Sequence, residues 1–243
     1  MLKHCYDPPM DLISEQRLAR RAAILDTARA MIAEVGYEAV KVRDLAERCR
    51  VSVPTLYNQF GGKGGLLGAA IEDHFVGVLN GGPLSRAEPG FERLLLIVDQ
   101  CALQLLTLSE YHQRLLEAFM SLASTSAVQR RIAVQLTQAF ERELLTMRSK
   151  RQIAAWAAAQ LVAEQLTSAC INASVIWSSG LFSDASLGPS MRFATGLLLL
   201  GVVRGRSRVL AHGRVEAAQK QLVRARAQTD SSTNKLTKGT RHG

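Results

Sequence analysis

Apolar positions recur at helical spacing along most of the chain, and no convincing alternating strand interrupts them. In "RRAAILDTARAMIAEVG", Ile24, Ala28, Met31 and Val35 repeat at intervals of four, three and four, with Leu25 and Ile32 alongside. That is one apolar face of a helix, and Gly36 is a natural stop. A second, short helix fits "VRDLAERC", with Leu45, Ala46 and Cys49 facing inward. A third fits Pro54 to Phe60. Proline is tolerated there because a first-turn N–H has no intrahelical use, and Ser52 is a better cap than Val53. A fourth helix starts near Lys63 and runs through "LLGAAIEDHFVGVL".

"NGGPLSRAEPG" (Asn80 to Gly90) is rich in breakers and marks the clearest boundary. Beyond it, helices are predicted over about Phe91–Leu108, Glu110–Ala123, Ala127–Lys150, Ile153–Ser178 and Pro189–Leu210. The polar tail "QTDSSTNKLTKGTRHG" has no apolar stripe and predicts disorder. The expected fold is all-α. It comprises an N-terminal extension (1–16), a three-helix helix-turn-helix domain (17–63), a connecting helix (64–82), a larger helical domain (83–210) and a basic, largely disordered tail (211–243).

With 243 residues, 47% of them hydrophobic, the chain can bury a substantial core. The net charge of +9 is unevenly spread: −2 over 1–16, +4 over 17–63, −1 over 64–203 and +8 over 204–243. A basic end beside a neutral body points to a polyanion partner, although for residues 210–243 alone the simpler reading is a solubilising tail. Lys3, Asp7, Pro8, Pro9 and Asp11 leave no apolar run for a secretory leader. The longest apolar stretch, Phe193 to Val203, is 11 residues and too short to span a bilayer. Cys5, Cys49, Cys101 and Cys170 lack paired spacing, so no zinc site or disulfide framework is indicated. A cytoplasmic protein without membrane association is expected.

Three short helices with tight turns make a helix-turn-helix, and its third helix has the right chemistry for a DNA groove. Leu56 and Phe60, at i and i+4, anchor that helix on Leu45 and Ile32 and turn Val53, Pro54, Thr55, Asn58 and Gln59 outward. Asn and Gln read adenine edges, and Thr and Val methyls meet a thymine methyl. Tyr57 offers a hydroxyl to a phosphate, Lys63 adds a cation at a helix N-terminus, and Arg43 reaches backbone or base. "FGGKGG" lacks the spacing of a nucleotide-binding phosphate loop and has no preceding strand.

The stretch "GYEAVKVRDLAERCRVSVPTLYNQFGGKGGLL" resembles the DNA-binding segment of the TetR family of bacterial transcriptional regulators. Gly36-Tyr37 matches the end of that family's first helix and Val42, Leu45 and Ala46 match its second. Val51-Ser52 matches its turn, Thr55, Leu56, Tyr57 and Phe60 its recognition helix, and Lys63 the lysine that follows. The resemblance implies DNA contacts from Arg43, Ser52, Val53, Pro54, Thr55, Tyr57, Asn58, Gln59 and Lys63. The chain departs from the pattern at Arg50, where glycine is usual, and at Gly64-Gly65, where an acidic residue commonly follows the lysine. It also departs at Lys41, where a threonine cap is usual, and at Gln59, where an aromatic or histidine is common. A positive φ at Arg50 would be awkward for a side chain.

The same resemblance implies an operator of double-stranded DNA, near-palindromic in sequence, and a homodimer formed through the last two long helices of the pattern, Ile153–Ser178 and Pro189–Leu210. It also implies a small-molecule effector bound among helices spanning 91–150. Phe91, Leu95, Cys101, Leu105, Tyr111, Phe119, Met120, Phe140 and Trp177 are candidate pocket residues but read better as core, so no ligand residue is assigned. His112, Glu117, Glu141 and Glu143 form no convincing metal or acid–base set. No catalytic residue, metal or cofactor is expected. The leading expectation is a ligand-released repressor; the alternatives are a helical interaction protein or a nucleoid-associated binder without inducer response.

Overall fold

Leu12 already belongs to the first helix, five residues before the expected domain start. The computed structural model describes residues 12–37, 39–80, 82–107 and 126–239, with single positions 109, 112, 113 and 116. Most of the predicted helix Glu110–Ala123 and the candidates Tyr111, Glu117, Phe119 and Met120 therefore lie outside the described residues, as does most of the 1–16 extension. The chain divides into two units, Met1–Ala70 and Ile71–Gly243.

The first unit holds α1 (Leu12–Val35), α2 (Val42–Arg48), α3 (Val53–Phe60) and the start of α4 (Lys63–Asn80). The unit boundary thus falls inside the helix expected to connect them. Ile24, Leu25, Ala28, Met31 and Ile32 of α1 are buried, together with Leu45, Ala46, Leu56, Phe60, Leu66 and Leu67. Val35 departs from the predicted face: it is exposed because the helix ends there, with Gly36 at φ 79° donating its N–H to the Ile32 carbonyl. Cys49, expected inside, is half-buried.

The end of α2 explains Arg50. The Arg50 N–H reaches the Glu47 carbonyl (3.1 Å), and the Val51 N–H reaches back to Ala46 (2.9 Å). This pair of bonds closes a helix only when the residue between adopts a left-handed conformation, and Arg50 has φ 52°. Arg151 repeats the motif after a later helix, at φ 55°, with bonds to Arg148 and from Gln152 to Met147. A left-handed non-glycine residue costs about 1–2 kcal/mol, whereas glycine adds about 0.5–1 kcal/mol of unfolded-state entropy. Relief outweighs entropy, so Arg50→Gly is expected to stabilise the first unit by about 0.5–1 kcal/mol, read as a higher urea midpoint.

The second unit continues with α5 (Pro83–Arg86), α6 (Phe91–Leu106), α7 (Ser126–Ser149), α8 (Ala159–Ser178), α9 (Asp184–Leu200) and α10 (Arg206–Gly239). The described residues are all-helical apart from one isolated antiparallel bridge, Ile153 to Val203. None of their helices is long and apolar enough to cross a membrane. Phe91, Leu95, Cys101, Phe140 and Trp177 all sit in the core cluster, and Leu105 packs against it. Burial pushes the Cys101 thiol up to about 12 and holds Cys170 well above its ordinary value, with Cys101 nearby adding to the latter. Both are inert core residues. Glu143 is buried too, and its carboxylate accepts the Gly90 N–H (2.7 Å) with Arg93 3.8 Å away. It closes the N-terminus of α6.

Four boundaries in the second unit differ from the expectation. Residues 153–158 are not helical, because Ala154 donates to Val202 and Arg204 donates to Gln152, both at 2.7 Å. That pairing also stops α9 at Leu200, where apolar pattern alone would carry it to Leu210. At its other end α9 starts before Pro189, which lies inside the helix and is buried. The fourth difference is the tail: residues from 211, expected to be largely disordered, continue α10 to Gly239. Ala211, Val215, Ala218 and Ala225 are buried at spacings of four, three and seven, a narrow stripe that seats α10 on α9. At Gly196 of α9, an added Cβ would lie 2.5 Å from a Val215 methyl, so the two helices pass almost in backbone contact.

Candidate nucleic-acid interface

Helix α3 is set by its two ends. Ser52 caps it, its hydroxyl accepting the Thr55 N–H (3.2 Å) and lying 2.7 Å from the Thr55 hydroxyl. Pro54 sits in the first turn, where it removes no needed donor. At the far end the Gly61 N–H closes onto the Tyr57 carbonyl (2.7 Å) with Gly61 at φ 75°. Within the helix only Leu56 and Phe60 are buried. Their i, i+4 spacing fixes the rotation about the helix axis, so Pro54, Thr55, Tyr57, Asn58 and Gln59 are exposed and Val53 is half-buried.

The remaining predicted residues are placed by other elements of the same unit. Arg43, on α2, is exposed and forms a loose pair with Glu47 at 3.4 Å. Such a pair stabilises by at most about 0.5 kcal/mol and leaves the guanidinium available to a phosphate. Lys63 opens α4, as expected, but its ammonium lies 4.5 Å from the centre of the Tyr37 ring. That contact fixes a cation at a helix N-terminus, where backbone N–H groups also favour anions. Tyr57 is 53% exposed, and its ring edge passes close to Gly62, where a Cβ would stand 3.4 Å away. Ser52 and Thr55 hydroxyls are engaged with each other, so the first-turn surface is presented by Val53, Pro54 and the Thr55 side chain.

Two features were not legible from the motif. Arg21 of α1 lies 4.8 Å from the Phe60 ring centre and braces α3 from behind. Arg48 bonds Glu34 at 2.9 Å and ties α2 to α1. Neither pair has a local spacing that would reveal it. Among the described residues no group of three or more His, Cys, Asp or Glu could hold a metal ion.

The sequence and the fold each match known proteins. A family model described as "Bacterial regulatory proteins, tetR family" matches residues 24–70, the segment that contains all of α2 and α3. The HTH-type transcriptional repressor KstR of Rhodococcus jostii is 39% identical over 90 residues, 37% of this chain and 42% of that protein. KstR of Mycobacterium tuberculosis is 43% identical over 65 residues, 27% of this chain and 30% of that protein. The match thus spans less than half the length of these curated relatives. Among solved structures, a TetR-family regulator from Pectobacterium atrosepticum superposes with a TM-score of 0.61 at 23% identity, covering 79% of this chain and 97% of that one. SmeT, the repressor of the Stenotrophomonas maltophilia multidrug efflux pump SmeDEF, gives 0.57 at 18%, covering 77% and 92%. Identities this low speak for a shared fold alone. Motif, matched segment and fold point the same way: over residues 24–70 this chain is similar to the bacterial regulatory proteins of the tetR family, and its fold is shared with solved members.

Proposed function

We propose that this protein is a homodimeric transcriptional repressor, not an enzyme, that binds a near-palindromic DNA operator and is released from it by a small molecule. The observation that carries the reading is the division of α3: two buried anchors behind, five exposed residues of groove-reading size and chemistry in front. Asn58 and Gln59 supply the paired hydrogen bonds that distinguish adenine. Thr55, Val53 and Pro54 keep the leading end slim, and Arg43, Tyr57 and Lys63 grip phosphates. Relatives named as repressors support the sign of regulation.

Dimerisation follows from recognition: one helix contacts too few base pairs to single out a site, and two-fold pairing doubles them. The pairing helices expected from the pattern correspond to α8 and α9, although α10 now follows them. Leu161 of α8 and Leu197 and Leu198 of α9 are exposed apolar residues on them, and Trp156 just before α8 is 71% exposed. For the effector, an open groove of about 640 Å³ between α6 and α10, lined by Phe91, Leu95, Leu210 and Arg214 among others, has the size of a small-molecule site. An effector acts only through its differential affinity for the bound and released forms.

Selection from a random duplex pool tests the reading. The expected product is an inverted repeat with half-site centres a whole helical turn or turns apart, about 34–36 Å per turn. A pool that emerges unenriched, or an enriched site without two-fold symmetry, contradicts it.

A further inference from the structure

Residues 204–243 carry ten cations and two acids. A disordered tail of that composition needs no partner, but residues 206–239 form one helix. The buried stripe from Ala211 to Ala225 docks it, and so do two polar ties. Arg192 bonds Gln221 (3.0 Å), and Asp99 accepts from Arg192 (3.1 Å) and Arg214 (3.3 Å). The side chains between Arg206 and Arg226 therefore stand on a fixed surface.

Their charges are poorly compensated. Arg214 has Asp99, and the acid Glu216 lies 3.7 Å from His212. Arg206, Arg208, Lys220, Arg224 and Arg226 are exposed, and none has a carboxylate within ion-pair distance among the described residues. At 100° and 1.5 Å per residue, Arg206, Lys220 and Arg224 fall within about 40° of one another along about 27 Å of helix. This is a straight row of cations on the side away from the buried stripe.

We propose that the Arg206–Lys220–Arg224 row is a second polyanion site, taking the phosphodiester backbone of duplex DNA outside the base pairs read by α3. Duplex DNA fits better than an anionic bilayer because the apolar stripe of α10 is buried, and the large apolar residues α10 exposes, Val209, Leu210 and Val223, are few and do not form a continuous stripe along the row. A row that touches phosphates and no bases adds sequence-independent affinity with a steep salt dependence.

The test compares the full chain with its Arg206→Gln/Lys220→Gln/Arg224→Gln variant on a duplex of arbitrary sequence, which makes the outcome independent of whether α3 recognises an operator. The slope of log affinity against log salt is expected to flatten by about 2–3, at roughly 0.9 per lost phosphate contact. An Arg206→Lys/Arg224→Lys variant keeps the charges and is expected to keep the wild-type slope; circular dichroism checks that both remain helical. Equal slopes for wild type and the glutamine variant overturn the proposal, and so does a slope lost equally in the lysine variant. Loss of sedimentation with phosphatidylserine vesicles in the glutamine variant, with its DNA slope unchanged, assigns the row to membranes instead. Failure of the operator reading shows separately, as a wild-type protein without sequence preference.

Discussion

Replacing Gly65 with alanine is expected to destabilise the N-terminal unit by about 3 kcal/mol and to weaken DNA binding at least roughly tenfold. Gly65 lies in the first turn of α4, and a Cβ built there would stand 1.8 Å from the Phe60 carbonyl oxygen and 3.0 Å from its carbonyl carbon. The obstacle is backbone, at the last residue of α3, so no side-chain rotation can relieve it. Either α4 or the end of α3 must move. Both carry the proposed interface, since α3 presents Thr55, Asn58 and Gln59 and α4 begins with Lys63. Gly65, one of the two glycines at which the chain departs from that family's usual pattern, thus has a steric reason in this chain. Gly213→Ala is the matched control: nothing lies within 4 Å of its Cβ, and alanine there is expected to stabilise α10 by up to about 1 kcal/mol. Thermal melting of the two variants, with gel shift on the selected site, reads the opposite signs.

Trp177→Ala is expected to destabilise the C-terminal unit by about 3–5 kcal/mol. Trp177 is among the largest fully buried side chains and belongs to the core cluster shared by α6, α7, α8 and α9. Its ring nitrogen donates to Asp184 at 2.9 Å, joining the end of α8 to the first turn of α9. Alanine removes the ring and leaves a cavity. Phenylalanine keeps most of the volume and loses the hydrogen bond, a change of about 1–2 kcal/mol. Denaturant midpoints in the order wild type, Trp177→Phe, Trp177→Ala support the core assignment. A wild-type midpoint for Trp177→Ala contradicts it.

The parts of this protein that could be read from its sequence are those where local pattern and tertiary packing agree. Leu56 and Phe60 recur at one helical turn, Ser52 has the hydroxyl a cap needs, and Pro54 tolerates only a first-turn position; the structure places all four accordingly. The helices Phe91–Leu106 and Ser126–Ser149 were equally visible, because Leu, Ile and Phe line their buried sides. Pattern failed where burial depends on small residues or on distant backbone. The docking stripe of α10 is mostly alanine, which carries little hydrophobic signal, so its four-three spacing passed for polar tail. The end of α9 is set by the pairing of residues 202–204 with 152–154, some fifty positions away, and the run Leu197–Leu200 gives no hint of it. Side-chain partnerships across helices, such as Lys63 over Tyr37 and Arg21 over Phe60, have no local spacing at all.

Asn58 and Gln59, on the exposed side of α3, are the proposed base readers. The decisive measurement is the affinity ratio between the selected operator and a scrambled duplex of the same composition. It is taken by fluorescence anisotropy at one salt concentration, for wild type and for Asn58→Ala/Gln59→Ala. Wild type is expected to prefer the operator by about a thousandfold or more, and the variant to lose about 2–4 kcal/mol at the operator while binding the scrambled duplex unchanged. A wild-type protein that binds both duplexes equally, or a variant that keeps the full preference, contradicts that assignment.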